Sequence, residues 1–189
     1  MRKSAPHSLK NQFLIAMPHM GGSGFASTVT YICEHDELGA MGLVINRPTG
    51  IALSEIFNQL NINSDDSLHA IDPIYAGGPV QTDRGFILHS SNKKWDSTLF
   101  ITDEICLTTS KDILASIAKD DGPEECLVAL GYAGWGAGQL EQEIINNYWL
   151  TAPANSEIIF HTPYEKRLDA AAHILGISLE QISPQTGHA

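Results

Sequence analysis

Apolar residues along this chain fall into short blocks separated by polar breaks or by Gly and Pro. Phe13 to Met17 is an unbroken apolar run ended by Pro18 and reads as a buried strand. Ser27 to Cys33 is dense in β-branched and aromatic residues, which favours a second strand. Met41 to Asn46 is a third, closed by Arg47-Pro48. The intervening EHDELGA suits a hairpin with a loop longer than the tightest turns. Leu53, Ile56, Phe57 and Leu60 share one face of a short amphipathic helix, and residues 61–72 form a polar, acidic loop. Further strands are expected at Ile74 to Val80 and Gly85 to His89, with shorter ones at Thr98 to Thr102 and Ile105 to Leu107.

Ser110 is placed to cap a helix in which Ile113, Leu114 and Ile117 share a face. Cys126 to Leu130 is wholly apolar, as a central strand would be. It leads into a Gly-rich loop, Gly131 to Gly138, and a helix that turns Leu140, Ile144 and Ile145 inward. Glu157 to His161 reads as a strand. Pro163 opens a helix through Leu168, Ala171, Ala172 and Leu175, and residues 178–182 form a last turn. Strands and helices in this irregular order predict an α+β fold with a mixed sheet, built as one compact domain over residues 11–189 behind a flexible arm at 1–10.

Composition agrees with a folded chain. Apolar residues make up 43% of the 189 and charged residues 17%, and a chain of this length buries roughly 70% of its unfolded surface. The charge changes the picture more. The formal net charge is −11, and three of the 11 cations (Arg2, Lys3 and Lys10) lie in the first ten residues, so the body is more acidic still. Affinity for nucleic acid rests on cations that displace counterions, so direct DNA binding is not expected. Three widely spaced cysteines without a C-x-x-C pattern suit a reducing compartment, and the apolar runs are too short for a signal peptide or for the ~20 residues of a membrane span. A cytoplasmic protein is expected.

Candidate chemistry is sparse. The sequence GYAGWGAG lies between a strand and a helix, where free amides favour an anion, but it matches neither G-x-G-x-x-G nor the P-loop spacing. It reads either as a ligand loop, with Tyr132, Gly134, Trp135 and Gly136 flooring a pocket, or as a tight structural turn. Cys33 and His35 are two apart on a strand, so alternation would set thiol and imidazole on one face, the arrangement of an activated thiol; the other reading is a buried cysteine. Arg47 and Arg84, lone cations beside Pro48 and Gly85, suit either an acidic ligand or a turn tied to a carboxylate. No metal-ligand spacing, cofactor motif, nucleophile elbow or acid–base pair is present in the sequence, so no metal or cofactor is expected and an enzyme is disfavoured.

Five phrases occur in order: LIAMPHM (14–20), YICEHDELGAMGLVINRP (31–48), GGPVQTDRGFILH (77–89), LTTSKDIL (107–114) and LGYAGWGAGQLEQEI (130–144). Together they strongly resemble the AlgH/YqgE family of bacterial proteins over residues 10–189. Where the family often carries an acidic residue and a proline after the first strand, this chain has Gly21-Gly22-Ser23-Gly24. The resemblance implies an α+β fold with a strongly coiled sheet flanked by helices. It also implies a largely uncharacterised activity, some members being described as regulators of transcription linked to alginate production. The expectation is therefore a non-enzymatic regulatory or adaptor protein with an unidentified protein or small-molecule partner. The alternatives are a thiol sensor at Cys33, or a small-ligand or nucleotide binder or enzyme at Gly131–Gly138.

Overall fold

The computed structural model describes residues 7–20 and 22–182. Ten strands form one mixed sheet: β1 (Gln12–Ala16), β2 (Val29–Asp36), β3 (Gly39–Val44), β4 (Pro48–Ala52), β5 (Pro73–Ala76), β6 (Val80–Ser90), β7 (Thr98–Phe100), β8 (Ile105–Thr108), β9 (Cys126–Gly136) and β10 (Trp149–Pro153). The helices are α1 (Leu53–Gln59), α2 (Asp112–Ala118), α3 (Gln139–Ile145), α4 (Tyr164–Ile174) and α5 (Leu179–Ile182). The strand order is β10-β1-β2-β3-β9-β6-β8-β7, and β4 and β5 join through a parallel pairing of β5 with β9. The fold is a single α+β domain with a strongly curled sheet, as the sequence predicts.

The spine is β9, which pairs with three strands. Its first half lies between β5 and β6, and its second half takes β3 on the edge that β5 has left. The switch occurs at Gly131, where φ is +74°. A Cβ there would stand 2.4 Å from the carbonyl oxygen of Gly78, so only glycine lets the β5–β6 connection cross β9 this closely. The segment expected as a Gly-rich loop is thus strand through Gly136; only Ala137 and Gly138 turn into α3.

The sheet packs on both faces. One side holds Phe13, Tyr31, Leu43, Phe86 and Leu127 beneath α4. The other carries two clusters. Leu53, Phe57, Ile113 and Val128 bury α1 and α2, while Leu14, Ile32, Leu140 and Trp149 bury α3.

Several local expectations shift. Strands β2 and β3 run to Asp36 and from Gly39, which leaves a two-residue turn instead of the longer loop. Glu157–His161 is not a strand but one π-helical turn, closed by Thr162 N–H donating to Glu157 O at 2.9 Å. Short apolar runs are ambiguous between strand and helix. The first residue before α2 is Lys111, and Ser110 does not cap its amides. Strands β4 and β10 were not expected. Of the arm placed at 1–10, residues 1–6 lie outside the described residues, while Ser8 and Leu9 are pinned to β2: Ser8 Oγ donates to His35 O and Leu9 N–H to His35 Nδ1.

Candidate functional site

A cleft of about 700 Å³ lies between the β2–β3 hairpin and β6, β8 and β9. Its walls take Glu34 and Asp36 from β2, Met41 from β3, Gln81, Arg84 and Phe86 from β6, Leu99 and Leu107 from β7 and β8, and Tyr132 and Gly134 from β9. Exposed Leu38 stands at the hairpin tip on its rim.

A bulge explains why two carboxylates face this cleft. Register slips between Ile32 and Glu34, so Cys33 is an extra residue and alternation resets after it. Glu34 then pairs with Met41, on the cleft face, and Asp36 follows two residues on. On β9, Tyr132 and Gly134 share that face. The Tyr132 ring meets Phe86 edge-on at 5.4 Å and leans over Gly134, where a Cβ would stand 3.2 Å from the ring. The Arg84 guanidinium lies 5.4 Å from the Phe86 ring centre and donates to Gln81 Oε1 at 3.2 Å. Arg84 also borders a second cleft of about 590 Å³, floored by Ile56, Leu60 and Leu114, so the Gln81–Arg84 segment is the partition between two hollows.

The structure therefore gathers Arg84, Tyr132 and Gly134 in one place, with Trp135 also bordering the cleft, and distributes Arg47, Gly136, Cys33 and His35 elsewhere. The Trp135 side chain turns to the opposite face. There it packs on Phe25 and Trp149, and its indole N–H donates to Glu143 at 2.9 Å, so the aromatic pair expected to floor one pocket is split by strand alternation. Gly136 lies beyond the cleft, with its amide on Gln139 Oε1. Arg47 holds a turn, through backbone carbonyls and not the expected carboxylate: its guanidinium donates to the carbonyls of Gly24 and Ala26.

Cys33 and His35 do not meet as alternation would have them. The bulge leaves Cys33 in the core at 0% exposure, where burial pushes its thiol pKa far up, and Sγ contacts Tyr31 O at 3.7 Å. His35 pairs with Ala40 on the other face, and its Nε2 meets Glu141 Oε1 at 2.6 Å. Glu141 is held below the ordinary carboxyl pKa: partial burial pushes it up, but a backbone N–H and His35 outweigh that.

Glu34, Asp36, Met41 and Phe86 were not singled out from sequence. Their one legible signal is the i, i+2 acid pair Glu34/Asp36. Among the described residues no group of three or more His, Cys, Asp or Glu is arranged to hold a metal, and no helix is long and apolar enough to cross a membrane.

The model of the AlgH-like family matches residues 13–180 of this chain. The chain belongs to the AlgH-like family. The UPF0301 protein AlgH of Pseudomonas aeruginosa is 53% identical over 191 residues, covering 100% of both chains. A UPF0301 protein of Chromobacterium violaceum is 52% identical, covering 96% of this chain and 98% of that one. The solution structure of Pseudomonas aeruginosa AlgH superposes with a TM-score of 0.80 over 100% of both chains. A crystal structure from Corynebacterium diphtheriae, at 21% identity, shares the fold with a TM-score of 0.71 over 96% of this chain and 93% of that one. Membership in this AlgH-like family agrees with the resemblance read from the five phrases.

Proposed function

We propose that this AlgH-like protein is a non-enzymatic regulatory or adaptor protein of the cytoplasm that takes a small ligand in the 700 Å³ cleft. The observation that carries the reading is the make-up of the cleft wall. Apolar surface from Met41, Phe86, Leu99, Leu107 and Tyr132 is joined by two carboxylates, one guanidinium and a few hydroxyls, with no imidazole or thiol among the described lining residues. Mostly apolar walls with a few convergent polar groups are typical of ligand sites. A Ser–His or Cys–His nucleophile pair needs an imidazole beside the group it activates, and none is among the described lining residues.

Glu34 and Asp36 outnumber Arg84 at the mouth. The ligand class this favours is a small molecule with an apolar or aromatic body and a positive or zwitterionic group. The acidic chain also favours an indirect route to any effect on transcription, through a ligand or a protein and not through DNA. The unpaired state of Cys33, Cys106 and Cys126 suits a reducing compartment.

The test is a thermal-shift screen, followed by calorimetry, using aromatic amines and aromatic amino-acid zwitterions against their neutral and anionic analogues. Cationic or zwitterionic compounds are expected to raise the melting midpoint of the wild type, and to lose that effect in Tyr132→Ala and Asp36→Lys. A screen in which only anions stabilise, or in which nothing does at millimolar concentration, overturns the ligand assignment.

A further inference from the structure

We propose that Arg167 and the small cavity beside it form a second, separate binding site, for a small oxyanion bearing a phosphate or carboxylate group. Arg167 projects from α4 and is 5% exposed. Its Nε donates to Thr162 O at 2.9 Å, one Nη donates to Ile45 O, and its guanidinium lies 5.0 Å from the Tyr75 ring centre. These bonds use two of five N–H groups. Among the described residues no carboxylate oxygen lies within 4.0 Å of it; the ion pairs are made by His35, His69, Lys93 and His161. A buried charge is costly unless an opposite charge answers it. Glu165 and Tyr75 act on the guanidinium from nearby, but in a chain with 22 acidic and 11 basic residues the lack of a direct ion pair to this cation among the described residues is a specific arrangement.

The guanidinium borders a cavity of about 180 Å³, walled by Tyr75, Cys126 and Phe160 with Asp72 at one side. At about 30 Å³ per water this is room for roughly six waters, the scale of an oxyanion with part of its hydration shell. The π-helical turn Glu157–His161 forms one wall, and such turns recur at functional sites. It also delivers the Thr162 carbonyl that holds Arg167 Nε, so an irregular turn orients the one cation of the cavity. Asp72 is engaged by His69 Nδ1 at 2.7 Å, and its charge opposes the anion.

The experiment is an amide NMR titration of the full chain with sodium phosphate, with sodium acetate, and with sodium chloride at matched ionic strength. Saturable shifts are expected at Tyr75, Leu127, Val128 and Phe160 with phosphate or acetate, and not with chloride. Phosphate alone assigns a phosphate-bearing ligand, and acetate alone a carboxylate. Asp72→Asn should tighten binding several-fold, and Arg167→Gln should abolish saturation. Because Arg167 also fastens α4, a probe on the wild type accompanies these variants. Cys126 is only partly buried, whereas Cys33 and Cys106 are sealed, so the bound anion should slow its modification by methyl methanethiosulfonate severalfold. Shifts identical to those with chloride, or an unchanged Cys126 rate in millimolar phosphate and acetate, overturn the proposal.

Discussion

Leu9 donates its backbone N–H to Nδ1 of His35 at 2.8 Å. Because that nitrogen accepts, the neutral ring carries its proton on Nε2 and donates it to Glu141. One imidazole, its side chain 3% exposed, thus ties the segment before β1 to the end of β2 and to α3. His35→Ala is expected to lower unfolding free energy by about 1–3 kcal/mol, since it removes two bonds and strands their partners. Urea denaturation gives that number. Hydrogen exchange should also show the Leu9 amide opening far faster than those of β1, and an unchanged rate at Leu9 contradicts the clamp.

Glu143 holds two tryptophans. Its Oε2 accepts the indole N–H of Trp135 at 2.9 Å and of Trp149 at 2.8 Å, and Oε1 accepts from Gln139. Charge-assisted bonds of this kind contribute about 1.5–3 kcal/mol. Glu143→Ala should cost at least about that much stability and shift the fluorescence, because two of the chain's three tryptophans lose their acceptor. An unaltered emission spectrum would contradict the shared contact.

Gly131→Ala should be strongly destabilising. The residue needs positive φ, and the new methyl would collide with the Gly78 carbonyl, which cannot retreat without unseating β9 from its neighbours. A loss of about 2 kcal/mol or more is expected in chemical denaturation. Gly138→Ala, with the same sign of φ but open space around it, should cost less, and an equal loss at both would remove the steric explanation.

His89 makes stability fall on mild acidification. It is fully buried, with Nδ1 on Ser90 O and Nε2 on Thr108 Oγ1, each at 2.7 Å. Burial pulls its pKa below 6.5, and the Ser90 carbonyl only partly offsets this. The unfolded chain binds the proton first, so stability is lost as pH drops below 6.5 and is unaffected above it. Melting midpoints across that range should decline in the wild type and flatten in His89→Gln.

Much of the fold is legible in the sequence, for identifiable reasons. Strands such as Phe13–Ala16 and Cys126–Leu130 are buried on both faces, so they appear as unbroken apolar runs. What was missed lacks that signature. β10 and β4 lie at sheet margins, and the second half of β9 is written in glycines because Gly131 must admit a crossing backbone. The site divides in the same way. Arg84 and Tyr132 stand out as a lone cation and an aromatic. The company of Glu34 and Asp36 depends on a one-residue bulge, and the separation of Cys33 from His35 depends on the same residue. Arg167 was not singled out from sequence; its signal was its place four residues before the buried Ala171.

The pairing of β9 with β3, β5 and β6 also sets a timetable. During synthesis the first two thirds of the chain emerge with three strands that share an absent partner, and β1 waits further for β10. Closure of the sheet therefore depends on contacts of long sequence separation, which fold slowly and leave edges open meanwhile. A nascent chain halted before residue 126 has no way to finish its sheet by itself, and it is the species of this protein most in need of a chaperone.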